Sequence, residues 1–276
     1  EKMYSALLVI IYLAFISLGL PDTLLGSAWP QMHIELNASL SSAGIITMII
    51  SMGTVISSLF SDRLNIKLGT GKVTAISVLM TAVALLGFSL SHSFIILCVL
   101  AVPYGLGAGA VDAALNNYVA LHYSSKHMSW LHCFWGVGAS IGPYIIGTCM
   151  AHGLGWRGGY SVISVIQFTL TAALFITLPL WKKVENSENN VSNENNERTQ
   201  EEPQERKAKS LSEVLHIKGV IYILFAFFCY SAVEQTTTLW CASYLVLNRS
   251  IDSNTAAKFA ALFYISRRPS GLRKTN

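Results

Sequence analysis

Residues 8–29 read LVIIYLAFISLGLPDTLLGSAW, an apolar run of membrane-spanning length that carries one acid, Asp22. About 20 apolar residues cross the hydrocarbon core of a bilayer as a helix. An aspartate inside such a span costs at least about 2.5–3.5 kcal/mol, so it is retained where it faces a polar pathway, meets a partner or exchanges protons. Two further stretches repeat the pattern: AVPYGLGAGAVDAALNNYVAL (101–121) carries Asp112, and IYILFAFFCYSAVEQTTTLWCASYL (221–245) carries Glu234. A shift of 212 residues lays Asp22 on Glu234 and Ala14-Phe15 on Ala226-Phe227. The first span thus superimposes on the last complete one, as in a duplicated membrane protein with an acid at matching points. That organisation points to transport.

The rest of the chain agrees. It is 52% hydrophobic and 12% charged, with a mean hydropathy of +0.48, against roughly 25% charge in soluble domains. Apolar periodicity and length predict helices at 5–29, 40–61, 71–90, 94–121, 128–151, 159–181 and 218–247, with a shorter helix beginning near 255. Backbone in lipid must satisfy its own hydrogen bonds, so these are helices and not open strands. The fold class is all-α and polytopic. Repeated long spans exclude a lone cleaved signal peptide.

The net charge of +4 is a topology signal, with no nucleic-acid partner implied. Arg63, Lys67 and Lys72 lie between the second and third spans, and Lys126 between the fourth and fifth. Lys182, Lys183, Arg198, Arg206, Lys207, Lys209 and Lys218 flank the sixth and seventh. Loops on the other side carry no Lys or Arg at 30–40 or 91–93, one at Arg157 and one at Arg249. The positive-inside rule therefore places the N-terminus in the cytoplasm of a plasma-membrane protein.

Organisation follows from composition. Residues 1–181 form a six-helix bundle, and 182–217 a cytoplasmic linker. The run VENSENNVSNENNERTQEEPQERKAKS (184–210) lacks aromatic residues and is expected to be disordered. SLSEVLHIKG (210–219) has an N-cap signal at Ser210 or Ser212 and a short apolar face suited to the membrane surface. Residues 218–265 begin a second bundle. It reads as truncated, because AAKFAALFYI (256–265) is followed by the basic tail of residues 266–276.

Chemistry beyond transport finds little support. Cys98, Cys133, Cys149, Cys229 and Cys241 all fall in spans without a C-x-x-C pair, so no disulfide framework, metal or other cofactor is expected. No Ser–His pair is ordered for nucleophilic catalysis, and an enzyme is not expected. Gly105, Gly107 and Gly109 lie inside a span, where small residues let helices approach, with no Lys-Ser/Thr to make a phosphate loop.

The segment SSLFSDRLNIKLGTGKV (57–73) resembles the signature loop of the major facilitator superfamily, Gly-x-Leu-Ala-Asp-Arg-x-Gly-Arg-Arg. Asp62-Arg63 match its central pair, Ser58 and Asn65 replace glycines, and the basic part falls on Lys67 and Lys72. The resemblance implies a loop that latches neighbouring helix ends and helps set a conformational equilibrium. LPDTLLGSAWP (20–30), GAGAVDAALNNYVA (107–120) and HMSWLHCFWGVGASIGP (127–143) are similar to the fucose–galactose–glucose:proton symporter branch. That similarity implies proton-coupled sugar uptake, with acids at Asp22 and Asp112, Asn116 beside the latter, and sugar contacts at His132 and Trp135, where sugar-transporting members have amides. Gly138, Gly142, Pro143 and Gly147 partly resemble an antiporter signature, so proton-driven efflux is the alternative, and a non-transporting membrane fragment a second one.

Several roles stay open on the residues alone. Asp22 and Asp112 sit in the first helices of two three-helix repeats, which inverted repeats gather around one central site. Asp22 equally suits a cap at a break near Pro21, and Asp112 a pair with an amide or backbone group. At helical spacing, Asn116 or Asn117 shares the face of Asp112. Glu234 and Gln235, with Trp240 as an aromatic plate, suit a polyhydroxyl ligand, whereas Thr236, Thr237 and Thr238 can bond back to their own helix. His132, between Trp130 and Trp135, is a proton relay, a ligand contact or packing. The expected partners are a small solute, protons and the lipid bilayer, with oligomeric state open.

Overall fold

The computed structural model describes residues 2–198 and 215–266, with side chains over 4–184 and 215–262. Among them the chain is helical throughout: α1 (Lys2–Asp22), α2 (Leu24–Glu35), α3 (Ser42–Leu68), α4 (Thr70–Leu90), α5 (Phe94–His122), α6 (Ser125–Ala151), α7 (Gly155–Arg198), α8 (Val220–Arg249) and α9 (Ser253–Ser266). Seven segments are long and apolar enough to cross a bilayer, with α1 and α2 together making the first. Large apolar side chains such as Met48, Leu59, Ile95 and Ile176 are exposed, the sidedness of a protein whose outer solvent is lipid.

Three expectations change. The first span is two helices, not the single helix 5–29, because Pro21 has no N–H to give the Ser17 carbonyl and its ring crowds it. Thr23, at φ −106°, ψ −1°, is a single turn residue between the two helices. The segment 57–73 is not a loop: Asp62, Arg63 and Lys67 ride the last turns of α3, and Lys72 the first turn of α4. Gly69 alone makes the corner, at φ +82°, a value only glycine adopts cheaply. The sixth span runs on helically to Arg198, past the boundary expected at 181. Trp181 and Val184 are buried against the bundle, with Trp181 lying on Gly71 of α4, so packing carries the helix through that point. The disorder expected over 199–210, the cap at Ser210 or Ser212 and the tail 267–276 lie outside the described residues.

The bundle has two large apolar clusters, stacked along it, and a small third one of Val73, Ala110 and Ala114. Toward the end where the chain begins, Leu7, Ile11, Phe15, Leu115, Leu131 and Trp181 pack together. Toward the opposite end, Leu24, Trp29, Ile46, Phe88, Trp156 and Tyr160 do so. In lipid no hydrophobic force pulls helices together, and small residues that allow close approach take over that work. A Cβ on Gly105 or Gly109 of α5 would lie 2.3 and 2.4 Å from the Ile50 and Thr54 carbonyl oxygens of α3. Gly138 and Gly142 of α6 meet the Ile16 and Leu20 carbonyls of α1 equally closely, at 2.1 and 2.2 Å. Between α1 and α7, Gln167 is buried and exchanges hydrogen bonds with the hydroxyl and carbonyl of Ser17.

The α8–α9 pair meets the bundle at one end. Gly26 of α2 lies on Thr238 and Leu239, Gly147 of α6 lies on Asn254, and Lys258 sits over the Tyr144 ring. Away from these contacts, residues 221–230 of α8 are all exposed. The two groups of helices converge at the α2–α9 end and part toward the end where the chain starts.

Candidate functional site

From Ser17 to Pro30 every residue is buried except Asp22, which is exposed. Asp22 ends α1 just before the break at Thr23, at the seam between the two large apolar clusters, where Leu18 belongs to one and Leu20 to the other. Two helices hold it there. The Trp135 indole of α6 donates to Oδ2 at 2.9 Å, and the Tyr104 hydroxyl of α5 donates to Oδ1 at 3.3 Å. Hydrogen bonds to an ionised acceptor are worth roughly 1.5–3 kcal/mol each. Asp22 is therefore a clasped acid at mid-depth.

Asp112 lies two turns further along α5 from Tyr104 and is half-buried. Asn116 donates from Nδ2 to its Oδ1 at 2.9 Å and to its carbonyl at 3.0 Å. Asn117, one residue on, is exposed on another face of the helix. His132 of α6 is exposed, with its ring edge-on to Phe15 at 6.2 Å, and it interacts electrostatically with Asp112. Asp22 in turn feels the charges of both Asp112 and Glu234. Pairwise hydrogen bonds and charge interactions thus link Asp22, Asp112, Asn116, His132, Trp135 and Glu234 into one group.

Other sequence candidates fall elsewhere. Thr236, Thr237 and Thr238 donate to the carbonyls of Ala232, Val233 and Glu234 at 2.8–2.9 Å, the internal bonding that competes with a ligand role. Trp240 packs against the apolar cluster near Trp29, and Gln235 is exposed on α8. Asp62, Arg63, Lys67 and Lys72 are exposed, and Arg63 lies 5.9 Å from the Phe60 ring. Among the described residues none of these four forms an ion pair within 4.0 Å.

Two features went unread in the sequence. Tyr104 has a signal after the fact, since it precedes Asp112 by eight residues, about 12 Å along the same helix. At the α2–α9 end, Glu35 closes a second cluster. Arg157 meets its Oε2 at 2.5 Å, the Trp156 indole donates to the same oxygen at 2.9 Å, and Arg157 also donates to the Ser91 carbonyl at 3.1 and 3.2 Å. No local pattern joins residues 122 positions apart.

The chain is thus a polytopic helical bundle with seven segments able to cross a bilayer and a linked group of acids among its helices. The chain belongs to the Major Facilitator Superfamily, whose family profile matches residues 11–269. It is 20% identical to a hexuronate transporter of Bacillus subtilis over 261 residues, covering 94% of this chain and 60% of that one. It is 25% identical to a Sinorhizobium fredii protein named uncharacterized transporter y4wD over 116 residues, 41% of this chain and 31% of the other. It is 24% identical to synaptic vesicle glycoprotein 2B of Rattus norvegicus over 160 residues, 56% and 23% of the two chains. The chain matches at most 60% of the length of each of these relatives.

Proposed function

We propose that the protein takes up a small hydrophilic solute, a sugar or related polyol, by proton-coupled alternating access, with its N-terminus in the cytoplasm of the plasma membrane. The clasp on Asp22 carries the reading. A carboxylate held by donors from α5 and α6 can release those donors to a solute's hydroxyls when it is protonated, so the ionised acid and the solute compete for one pair of hydrogen bonds and the proton favours the solute. Asp112, with Asn116 and His132, supplies a second acid that can pass the proton on. The convergence of α2 with α8 and of α6 with α9 at one end gives the closed side, and exposed residues 221–230 flank the open one.

The Bacillus subtilis relative is named for hexuronates, which are anions. Three acids and one imidazole interact within the group around Asp22, so an uncharged polyhydroxyl solute suits the described residues better. Efflux draws no support from Gly138, Gly142 and Gly147, which are taken up by packing against α1 and α9.

The test is uptake by vesicles from cells expressing the protein from its own gene, with an inward proton gradient and a panel of neutral hexoses, pentoses and uronates. Concentrative entry of a neutral sugar with stoichiometric proton influx is expected. Entry of uronates alone, or export of amphipathic cations, would overturn the proposal.

A further inference from the structure

On the membrane flank between α6 and α9 runs a groove of about 450 Å³, lined by Ser140, Ile141, Tyr144, Lys258, Phe259 and Leu262. Its walls are apolar and exposed: Ile141 at 41%, Tyr144 at 59%, Phe259 at 50% and Leu262 at 51%. Lys258 is half-buried in it, with its ammonium 5.8 Å from the Tyr144 ring. Among the described residues no carboxylate lies within 4.0 Å of that ammonium. Asp252, the acid nearest it in sequence, feels the Lys258 charge from beyond ion-pair distance and caps α9 by accepting from the Thr255 amide at 3.1 Å.

Depth decides what suits this groove. Lys258 lies five residues past the start of α9, about 7.5 Å along its axis, and Tyr144 lies seven residues before the end of α6, about 10 Å from it. In a bilayer about 40–45 Å thick with a 30 Å hydrocarbon core, this is the boundary between headgroups and chains. Phe259 and Leu262 on α9, and Ile141 on α6, continue from there toward the midplane. A transmembrane helix is about 10 Å across, so a groove of this volume would hold little more than one turn of it. It has room for an acyl chain.

We infer that this groove binds one phospholipid with an anionic headgroup, its phosphate on Lys258 and an acyl chain along Ile141, Phe259 and Leu262. Asp252 reaches this half-buried cation only from beyond ion-pair distance, and lipid phosphate supplies a contact counter-charge at the right depth. The lipid bridges α6 and α9, the helices that already meet through Gly147 and Asn254. It therefore ties the α8–α9 pair to the bundle at the closed end.

Photo-crosslinking in vesicles tests the assignment, using phosphatidylglycerol with a diazirine in its acyl chain and the matching phosphatidylcholine as comparison. A single lysine near the surface is worth about 1 kcal/mol toward anionic lipid, so adducts from the anionic probe on peptides 140–144 and 258–262 should exceed those on exposed 221–230 by about fivefold. Lys258→Met should bring the groove down to the level of 221–230. Ile141→Trp, which keeps the charge and fills the groove, should do the same and serves as the second variant. Equal labelling of groove and α8, equal labelling by both probes, or enrichment that survives Lys258→Met would overturn the inference. So would displacement of the probe by millimolar inorganic phosphate, or efficient crosslinking of Tyr144→Cys to a second copy.

Discussion

Gly26 of α2 lies against the carbonyl oxygen of Thr238 of α8: a Cβ on Gly26 would sit 2.2 Å from that oxygen and 2.9 Å from the Leu239 Cα. The two residues are separated by the same 212 positions that lay Asp22 on Glu234. On the duplication read in the sequence, equivalent positions that touch lie close to the axis relating the two halves. Asp22 and Glu234 each precede the contact by four residues, so that duplication sets them at similar depth beside the axis, and Asp22 feels the Glu234 charge. Gly26→Ala would push α8 away, at a cost of about 1–3 kcal/mol for overpacking a tight contact. Spin labels at Leu36 and Ser250 should report a longer, broader distance distribution in the variant. An unchanged distribution would show that the contact does not hold the closed end.

Sidedness is tested by single-cysteine variants, built after the native cysteines are replaced, and an impermeant maleimide on intact cells. The Lys/Arg asymmetry predicts external labelling at residues 33–38 and 152–156. Labelling at 185–205 should require access from the cytoplasm. External reaction at 185–205 would invert the orientation.

The Glu35 cluster should matter for stability and spare transport chemistry. Arg157 is held by a carboxylate, the Ser91 carbonyl and the Trp156 ring, whose centroid lies 4.3 Å from its guanidinium. Lysine cannot reproduce that fork. Arg157→Lys should lower stability by about 1–3 kcal/mol, given partial exposure of the pair and two further hydrogen bonds. Thermal unfolding in detergent would show it as a drop of several degrees, with solute affinity unchanged.

Asp252 gives a pH signature outside the membrane. Hydrogen bonds from the Thr255 side chain and amide hold its carboxyl below the ordinary 3.8. A depressed acid contributes its capping above the unfolded value and loses it as pH falls through the folded one. Amide protection at residues 254–258 should therefore stay constant down to about pH 4 and decline only below it. Asp252→Asn should flatten that dependence, and a decline near neutral pH would refute the assignment.

The fold was legible because lipid imposes one rule everywhere. Long apolar runs must be helices, and most of the expected ends agree with the structure to within a few residues. The exceptions have local causes: Pro21 splits the first span, Gly69 alone replaces a loop, and Trp181 with Val184 carries α7 onward. The site was legible only as its ionisable residues. Asp22 and Asp112 stand out against an apolar background, whereas Tyr104 looks like any buried aromatic until the α1–α5 crossing brings it to Asp22. Glu35 and Arg157 need the folded bundle to meet. Asn116 and Asn117 were indistinguishable by spacing, and the rotation of α5 selects Asn116.

The two acids separate most cleanly when each is made an amide. Asp22→Asn keeps an oxygen to accept from Trp135 and loses the exchangeable proton; Asp112→Asn keeps an acceptor for Asn116 and loses its attraction to His132. If both acids carry the coupled proton, each variant should express normally, fail to concentrate solute, and at least one should still exchange labelled for unlabelled solute. Trp135→Phe removes one charge-assisted donor and keeps the aromatic plate, so solute binding should weaken about tenfold or more, as expected for roughly 1.5–3 kcal/mol. Uptake assays with and without a proton gradient, run beside counterflow, distinguish these outcomes. Accumulation by both amide variants with wild-type pH dependence would remove Asp22 and Asp112 from the proton path and leave the clasp on Asp22 a structural brace.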